Sequence, residues 1–343
     1  MTDRYAEILV VDLLGGLGDL LMLLPSIHGL ARRHPTARLR VLTHDPGAEL
    51  LRVDPAVAEV RTPRHGRPGA ERAAVVEALA ARRPDLAVTT TRYDGIPELL
   101  LASGARCVTD LWRRPPPDEP VGARYLRLLH AEGLLTRADL PARVSVHLPA
   151  SARVAGEESV GRLVDPSRRP AAGPVVLVTD VGMAVKRWPE RSWRALAGRL
   201  AALGHPVLTV GADDAPPGVP LPRGDLPTLA GQFAAVARRG GAVVGPDTGP
   251  LRLAAGAGAA TVGLFGPTDA RRYGVGGADL QGLPGCPYRR ATAITEQPCW
   301  WGACCPLDPT GPACMTDLDV NLVTAVVRAA TRQASLVWRA PDG

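Results

Sequence analysis

Several short stretches of the chain place charged or hydroxyl residues beside glycine or proline, directly after an apolar run. The first follows the apolar run that ends at Leu13 and contains Gly15, Gly16, Gly18 and Asp19. Glycine lets a backbone turn tightly and approach a ligand, and the free amides at the start of the next helix attract an anion. The spacing departs from the G-x-G-x-x-G dinucleotide pattern, so a tight turn in which Asp19 caps the helix is the alternative interpretation.

A second stretch begins at Lys186, the only lysine of the chain, with Arg187 beside it. It follows an apolar run that includes Thr179, so two adjacent cations lie just beyond the carboxyl end of a predicted strand. Such cations suit a diphosphate, the charge that develops when a nucleotide leaves. A solvated basic loop is the alternative.

A third stretch, Gly245–Pro250, ends an apolar run and starts a predicted helix. Asp247 and Thr248 can cap this helix, and Gly249 begins it. Free N–H groups at such a helix start form an anion site. A well-capped helix without a ligand is the alternative. The turn 263–269 ends the next predicted strand and adds a loop on the same rim.

Five of the six cysteines lie near the carboxyl terminus, with Cys107 far upstream. In a cytoplasmic protein such a cluster is more typical of a metal site or of reduced thiols than of disulfides. Four thiolates could hold a structural zinc or iron ion in a tetrahedral site, with free thiols packed in a loop as the alternative. The pair Trp300–Trp301 could cover a small core there or line an acceptor groove. The predicted metal ligands are Cys286, Cys299, Cys304, Cys305 and Cys314.

These stretches interrupt an alternation of strands and helices that indicates parallel sheets covered on both faces. The predicted strands are Glu7–Leu13, Arg38–Thr43, Val57–Arg61, Leu86–Thr90, Arg106–Asp110, Val144–Leu148, Val175–Asp180, Pro206–Gly211, Ala242–Gly245 and Ala260–Phe265. The principal predicted helices are Asp19–Arg33, Glu190–Leu203, Leu226–Arg239, Pro250–Ala257 and Leu318–Gln333.

The predicted fold class is α/β, with two Rossmann-like doubly wound domains facing a cleft. Ligands in such sheets bind beyond the carboxyl ends of the strands. The stretch 149–174, rich in Ala, Arg, Ser, Gly and Pro, is the predicted linker. The expected bounds are 1–165 for the first domain and 172–317 for the second. The final helix, within 318–343, is expected to pack on the first domain.

Charge and composition narrow the range of partners. The net charge of +6 is spread along the chain, and aromatic residues are only 4%, too few for base stacking, so a nucleic-acid partner is excluded. Anionic small molecules or an acidic membrane surface suit this charge better. The first residues lack the order of a signal peptide, and the apolar run 8–24 is broken by aspartate and glycine. We therefore expect a cytoplasmic protein with no transmembrane segment and at most peripheral membrane contact.

Taken together, the motifs resemble glycosyltransferase family 9, the ADP-heptose heptosyltransferases of lipopolysaccharide core assembly and their relatives. The resemblance spans most of the chain, and its order and spacing are those of the family. It implies a GT-B fold that binds the acceptor in the first domain and the nucleotide-sugar donor in the second. The residues that carry the resemblance are Ile8–Val11, Gly16–Asp19, Leu24, Pro25, Lys186–Pro189, Asp247–Pro250, Leu253–Ala255 and Leu264–Thr268.

The resemblance also implies roles for individual residues. Asp19 resembles the general base that deprotonates the acceptor hydroxyl, and Lys186 resembles the lysine that binds the donor diphosphate. The glycines before Asp19 form the acceptor or phosphate turn. Either Asp213 or Asp214 takes the place of a family acid that binds the donor sugar or ribose. The full set of predicted donor-binding residues is Thr179, Lys186, Arg187, Asp213, Asp214, Asp247, Thr248, Gly249 and Arg252.

The chain departs from the family pattern at two places. Leu13 stands where the family usually has a basic residue, and Arg252 stands where it has a histidine, so a proton shuttle is lost there. Heptosyltransferases that modify autotransporters carry a four-cysteine iron site in the tail. This chain lacks their C-x-x-C pair.

The sequence therefore predicts an inverting, metal-independent glycosyltransferase that needs no cofactor for catalysis. It would move a heptose or related sugar from an ADP-sugar to an acceptor hydroxyl on a lipopolysaccharide-type glycan or a small natural product. An alternative is an NAD(P)-dependent oxidoreductase that binds its cofactor at the first glycine turn. Such an enzyme would need an acidic residue after the second strand and a catalytic set of His, Lys or Tyr, and neither is found in the sequence. Another alternative is a non-catalytic binding module stabilised by a metal ion, which only the cysteines support.

Overall fold

The protein forms two compact units, each built on one parallel sheet. The predicted α/β class with two doubly wound sheets is therefore observed. The first unit comprises Met1–Pro115, Val121–His147 and Asp225–Pro227, and the remaining segments form the second. The computed structural model describes residues 5–64, 67–140, 143–164, 172–211 and 218–339.

The first sheet has five parallel strands in the order β3-β2-β1-β4-β5. Its strands are β1 (Glu7–Asp12), β2 (Arg38–Thr43), β3 (Glu59–Arg61), β4 (Leu86–Thr89) and β5 (Arg106–Val108). The helices of this unit are α1 (Leu17–Arg33), α2 (Gly47–Arg52), α3 (Ala70–Ala81), α4 (Ile96–Ala102) and α5 (Val121–Ala131). Strand β1 lies between β2 and β4, so the connections run in opposite directions from this central strand.

The core of the first unit explains why β1 has a nearly continuous apolar sequence. Leu9, Val11 and Leu13 pack in one buried cluster with Val75 of α3 and Ile96 of α4. The intervening residues of β1 are buried as well. A parallel strand covered by helices on both faces needs apolar side chains at every position, because neither face meets water.

The second sheet has six parallel strands in the order β11-β10-β9-β6-β7-β8. Its strands are β6 (Val175–Val178), β7 (Val207–Val210), β8 (Val219–Pro220), β9 (Ala242–Pro246), β10 (Ala260–Phe265) and β11 (Ala278–Gln281). The later helices are α6 (Ala150–Leu163), α7 (Glu190–Ala202), α8 (Leu226–Arg238), α9 (Gly249–Gly256), α10 (Ala270–Tyr273), α11 (Ala313–Thr316) and α12 (Val320–Arg339).

The final helix packs on the second sheet, whereas the sequence predicted packing on the first domain. Val323 and Val327 of α12 are buried in a cluster with Val175, Leu177 and Trp188. Helix α12 also lies against α7 and β10. Helix α12 packs there because its apolar residues lie on one face, and this face covers the second sheet. The strands of that sheet are the ones that most closely precede α12 in sequence. Among the described residues, every helix is too short or too polar to cross a membrane.

The predicted linker 149–174 is largely helical and belongs to the second unit. Helix α6 lies against α8 so closely that a Cβ added at Gly156 would be 2.2 Å from the Gly231 carbonyl oxygen. The boundary between the units therefore falls after His147, earlier than the predicted residue 165. Alanine, glycine and serine in this stretch permit close helix packing. The same composition is typical of a linker, so composition alone could not distinguish the two. Residues 165–171 lie outside the described part of the chain.

Three strand assignments differ from the prediction. The segment 144–148 is not in either sheet, although its alternating sequence predicted a strand. Strands β8 and β11 were not predicted, because each is short and contains polar residues or proline. Both lie at sheet edges, where such residues are tolerated.

Candidate functional site

The residues that could take part in binding or catalysis lie at the carboxyl ends of the central strands in each unit. In the first sheet, β1 and β4 are neighbours whose following loops diverge, and in the second sheet β6 and β9 are arranged in the same way. Ligands of open α/β sheets bind at these switch points. Asp19 follows β1, Lys186 follows β6 and Asp247 follows β9.

In the second unit, Lys186 and Asp247 form a direct ion pair. The Lys186 Nζ donates to Asp247 Oδ2 at 2.9 Å and to the Asp247 carbonyl oxygen at 3.0 Å. Lys186 ends a short 3-10 helix, Ala184–Lys186, that follows β6. The predicted lysine and the predicted loop after β9 are therefore brought together, although 61 residues separate them in sequence.

Arg252 contributes a second cation to the same carboxylate. Its Nη2 lies 3.3 Å from Asp247 Oδ1 and donates to the Tyr273 carbonyl at 2.6 Å, while Nη1 lies 3.4 Å from the Gly274 carbonyl. Burial by itself would raise the pKa of Asp247, but Lys186 and Arg252 lower it below its usual value. Asp247 is therefore a buried, ionised carboxylate clamped between two cations.

The loop after β9 leads directly into α9. Thr248 has an extended backbone at the N-cap. Its Oγ1 donates to the Pro246 carbonyl at 3.2 Å and accepts no hydrogen bond from the α9 amides. Gly249 starts the helix, with Pro250 next, where a missing N–H costs nothing. No side chain caps this helix, so its first-turn amides remain suited to an anionic ligand.

The other predicted donor residues are less closely connected. Thr179 is half-buried directly after β6, and Arg187 is exposed next to Lys186. Asp213 and Asp214 lie outside the described residues. The direct contacts among the predicted residues of this unit thus centre on Lys186, Asp247 and Arg252.

Asp279 of β11 belongs to this cluster but was not predicted. Its Oδ2 accepts from the Val275 backbone N–H at 3.0 Å and from that of Gly276 at 3.3 Å. Burial raises the pKa of Asp279, and the Asp247 charge raises it further, while Arg252 opposes the shift. The residue was missed because β11 was not recognised as a strand.

In the first unit, the glycine turn places Asp19 in the first turn of α1. Gly15 has a φ of 92°, which favours glycine. At Gly16 a Cβ would lie 2.6 Å from Asp19 Oδ2, so the absence of a side chain lets this carboxylate lie over the turn. Gly18 lies within α1, and Asp19 is half-buried. The predicted turn therefore carries a partly accessible carboxylate at a helix start.

Asp12, the last residue of β1, is a second carboxylate near Asp19. It is almost fully buried, and Thr90 Oγ1 donates to its Oδ1 at 2.5 Å. Burial raises the pKa of Asp12 to about 7, and the charge of Asp19 raises it as well, against the opposing hydrogen bond from Thr90. No role was predicted for Asp12 from the sequence. The feature that could have indicated it is an ionisable side chain inside an otherwise apolar strand.

Leu13 occupies the position of the family's basic residue and has a purely apolar environment in the first core. Its peptide group is held by the segment after β4. The Leu13 backbone N–H donates to Thr91 Oγ1 at 2.9 Å, and the Tyr93 hydroxyl donates to the Leu13 carbonyl. Thr91 and Tyr93 were not predicted, because contacts to backbone atoms leave no motif in the sequence.

The cysteine segment does not form the predicted metal site. Cys299 and Cys314 are buried, Cys286 and Cys305 are half-buried, and Cys304 is exposed. Burial raises the pKa of Cys299 and raises that of Cys314 to about 12, with smaller contributions from neighbouring thiols. Within the described residues, no group of three or more His, Cys, Asp or Glu is arranged to hold a metal. The predicted metal site is therefore not formed within the described part of the chain.

The sequence model of glycosyltransferase family 9 (heptosyltransferase) matches residues 167–284, which span β6 to β11. This match makes that part of the chain similar to glycosyltransferase family 9. The predicted resemblance is thereby confirmed, and the match includes Lys186, Asp247 and Arg252. No curated protein matches the chain by sequence.

Solved structures support the same fold over nearly the whole chain. The glycosyl transferase family 9 protein from Veillonella parvula superposes with a TM-score of 0.75 at 14% identity, covering 97% of this chain and 99% of that one. The E. coli ADP-heptose lps heptosyltransferase II gives 0.68 at 16% identity, with 96% and 99% covered. The E. coli heptosyltransferase WaaC with ADP gives 0.63 at 20% identity, with 94% and 99% covered. At these identities the likeness establishes the GT-B fold alone, and the predicted fold class is confirmed.

Proposed function

We propose that this protein is an inverting glycosyltransferase of family 9 that uses an ADP-sugar, with heptose or a related sugar as the transferred group. The observation that carries the proposal is the convergence of Lys186 and the uncapped start of α9 on Asp247. A diphosphate needs a cation and free amides, and both are provided at one switch point. The bound ADP in the E. coli WaaC structure supports the choice of nucleotide.

In the proposed reaction, Asp19 removes the proton from an acceptor hydroxyl. The acceptor oxygen then forms a bond to the anomeric carbon while the bond from that carbon to the diphosphate oxygen breaks. The nucleoside diphosphate leaves with the electron pair, and one displacement inverts the anomeric centre. Lys186 and the α9 amides stabilise the negative charge on the leaving diphosphate, which is a role that other transferases give to a metal ion.

Asp12 and Asp19 lie in different environments, and this difference suits Asp19 to the role of general base. Below pH 7 the buried Asp12 carboxyl is neutral, because its pKa is about 7. A neutral Asp12 adds no second negative charge next to Asp19. A partly accessible carboxylate is suited to accept a proton from a substrate.

Arg252 is proposed to act on the donor through Asp247. Its guanidinium is buried and contacts Asp247 and two backbone carbonyls. It therefore fixes the carboxylate that, in turn, orients the Lys186 ammonium. This arrangement gives a physical reason for arginine in place of the family's histidine, because no proton transfer is required of a positioning cation.

The acceptor is proposed to be a hydroxyl of either a lipopolysaccharide-type glycan or a small natural product. We further propose a cytoplasmic location with at most peripheral membrane contact. All six cysteines are free thiols, which is typical of a reducing compartment. Cell fractionation tests this location, and recovery in an oxidising compartment would contradict it.

The donor is tested by calorimetry with ADP-, GDP-, UDP- and dTDP-sugars and with NADH. We expect an ADP-sugar to bind most tightly and transfer to persist in EDTA. Binding of NADH without binding of any nucleotide sugar would refute the proposal and favour the oxidoreductase alternative. EDTA-sensitive transfer restored by a divalent ion would refute metal independence.

Variants test the two assigned roles separately. Asp19→Asn should leave donor affinity within about twofold and lower kcat by about 10²–10⁴-fold, the usual contribution of a general base. Lys186→Gln should instead weaken donor binding by about 10- to 100-fold, since a hydrogen bond to a charged group is lost. Near-normal turnover in Asp19→Asn would overturn the base assignment.

A further inference from the structure

Trp300 lies beside the lysine that we assign to the donor, although it comes from the cysteine-rich segment. Its side chain is 7% exposed and packs with Val185, the residue before Lys186. Cys299 belongs to the same buried cluster, and Met183 and Ile294 pack against it. The segment therefore contacts the 3-10 helix that carries Lys186.

The contact reaches the ammonium group itself. Lys186 Nζ lies 5.5 Å from the centroid of the Trp300 ring, within the range of a cation–π interaction. Its other contacts are the two oxygens of Asp247 at 2.9 and 3.0 Å. One aromatic ring and one aspartate thus hold an ammonium whose side chain is 17% exposed.

Trp300 is itself fixed by its own segment. Its backbone N–H donates to the Gln297 carbonyl at 3.0 Å. The buried Gln297 side chain accepts from the Arg290 backbone N–H at 3.2 Å and donates to the Ile294 carbonyl at 3.1 Å. These hydrogen bonds within the segment support the ring.

We propose that Trp300 is a positioning residue that holds the Lys186 ammonium where it meets the donor diphosphate. The proposal rests on the function proposed above, in which Lys186 binds that group. A flexible lysine would lose side-chain freedom on binding an anion, whereas one already held between Trp300 and Asp247 loses less. The segment that the sequence left without a function thereby becomes part of the donor site.

The neighbouring Trp301 provides a matched control. It is 74% exposed, and its indole N–H donates to the Thr295 carbonyl at 3.2 Å. Trp301→Leu removes an indole from the same segment without touching the cluster around Val185. Trp300→Leu removes the aromatic face but keeps an apolar side chain, and Trp300→Phe restores a face for the cation.

The chain offers a direct readout, because Lys186 is its only lysine. Selective ¹³C-lysine labelling of the full protein gives one lysine spin system in the NMR spectrum. In the wild type we expect upfield-shifted ε-methylene protons and a nuclear Overhauser effect to indole ring protons. Trp300→Leu should move these signals toward unperturbed values, Trp300→Phe should retain most of the shift, and Trp301→Leu should change nothing.

Affinity for ADP, measured by calorimetry, gives the functional readout. Trp300→Leu should bind ADP about 2- to 30-fold more weakly, the range expected for a cation–π contact. Trp300→Phe should recover most of that loss, and Trp301→Leu should bind like the wild type. Turnover with saturating donor should change less than the KM for the donor, because the ring acts through Lys186.

The outcomes separate the two proposals. If Lys186→Gln binds ADP as tightly as the wild type, the donor role of Lys186 fails. If Lys186→Gln weakens binding but Trp300→Leu alters neither ADP affinity nor the lysine signals, only the role of Trp300 fails. The wild-type spectrum alone is decisive should Trp300→Leu not fold, since missing ring-current shifts and missing Overhauser effects would overturn the contact.

Discussion

Replacing Asp12 by asparagine should remove a pH-dependent destabilisation of the first unit. The carboxyl has a pKa of about 7 in the folded protein against a usual value of 3.8. Between these two values the folded state keeps a proton that the unfolded state releases, so stability falls as pH rises. Each pKa unit corresponds to about 1.4 kcal/mol, and the full penalty above pH 7 is about 4 kcal/mol.

Asparagine matches the shape of Asp12 and can keep the hydrogen bond with Thr90. We therefore expect Asp12→Asn and the wild type to be about equally stable at pH 4, where both carry a neutral side chain. By pH 8 the variant should be the more stable protein, by up to about 4 kcal/mol. The difference between the two proteins isolates Asp12, because every other titrating group is present in both.

Hydrogen exchange measures this difference within the first unit. The amides of β1 and β4 pair with each other and open only when that sheet unfolds. Exchange of these amides, corrected for intrinsic rates, should slow in Asp12→Asn relative to the wild type as pH rises from 4 to 8. A pH-independent difference, or faster exchange in the variant at pH 8, would show that Asp12 is not a buried carboxyl with a raised pKa.

Two further predictions concern the second unit. Gly156→Ala should destabilise it by about 1–3 kcal/mol or more, because the new Cβ would meet the Gly231 backbone at 2.2 Å, and thermal melting would show this. Gly198→Ala on α7, with nothing within 4 Å, is the control and should gain about 1 kcal/mol of helix stability; equal effects would contradict the tight α6–α8 contact. Asp247→Asn should cost about 3–5 kcal/mol, because it leaves Lys186 and Arg252 without their carboxylate. Pyrophosphate should raise the melting temperature of Asp247→Asn more than that of the wild type, and an equal rise would mean that the anion does not replace the carboxylate.

The fold could be predicted from the sequence wherever a strand is buried on both faces. Strands such as β1 and β6 have continuous apolar sequences, and both were found close to their observed bounds. Edge strands have no such requirement, which is why β8 and β11 were missed. The packing partner of α12 could not be predicted either, because an apolar helix face indicates that the helix packs but not on which sheet.

In the candidate site, too, some residues could be predicted from the sequence and others could not. The positions of Asp19, Lys186 and Asp247 just beyond strands could be predicted because each lies within a recognisable motif, and the structure brings the last two into direct contact, while their roles stay predictions. Thr91 and Tyr93 act through the Leu13 peptide group, and backbone contacts of that kind leave no motif. Trp300 was noticed but could not be assigned, since 114 residues separate it from Lys186 and only tertiary contacts bring the ring to the ammonium.

The two departures from the family pattern have different physical consequences. At Arg252 a cation is retained, and its charge is used within the protein to fix Asp247. At Leu13 a cation is lost, and the apolar side chain joins the core while the carboxyl group next to it, that of Asp12, becomes neutral below pH 7. Loss of a basic neighbour would leave Asp19 next to an uncompensated second carboxylate if Asp12 were ionised. The burial of Asp12 reduces that cost below about pH 7, so a leucine at position 13 and a buried aspartate at position 12 are compatible in the same turn.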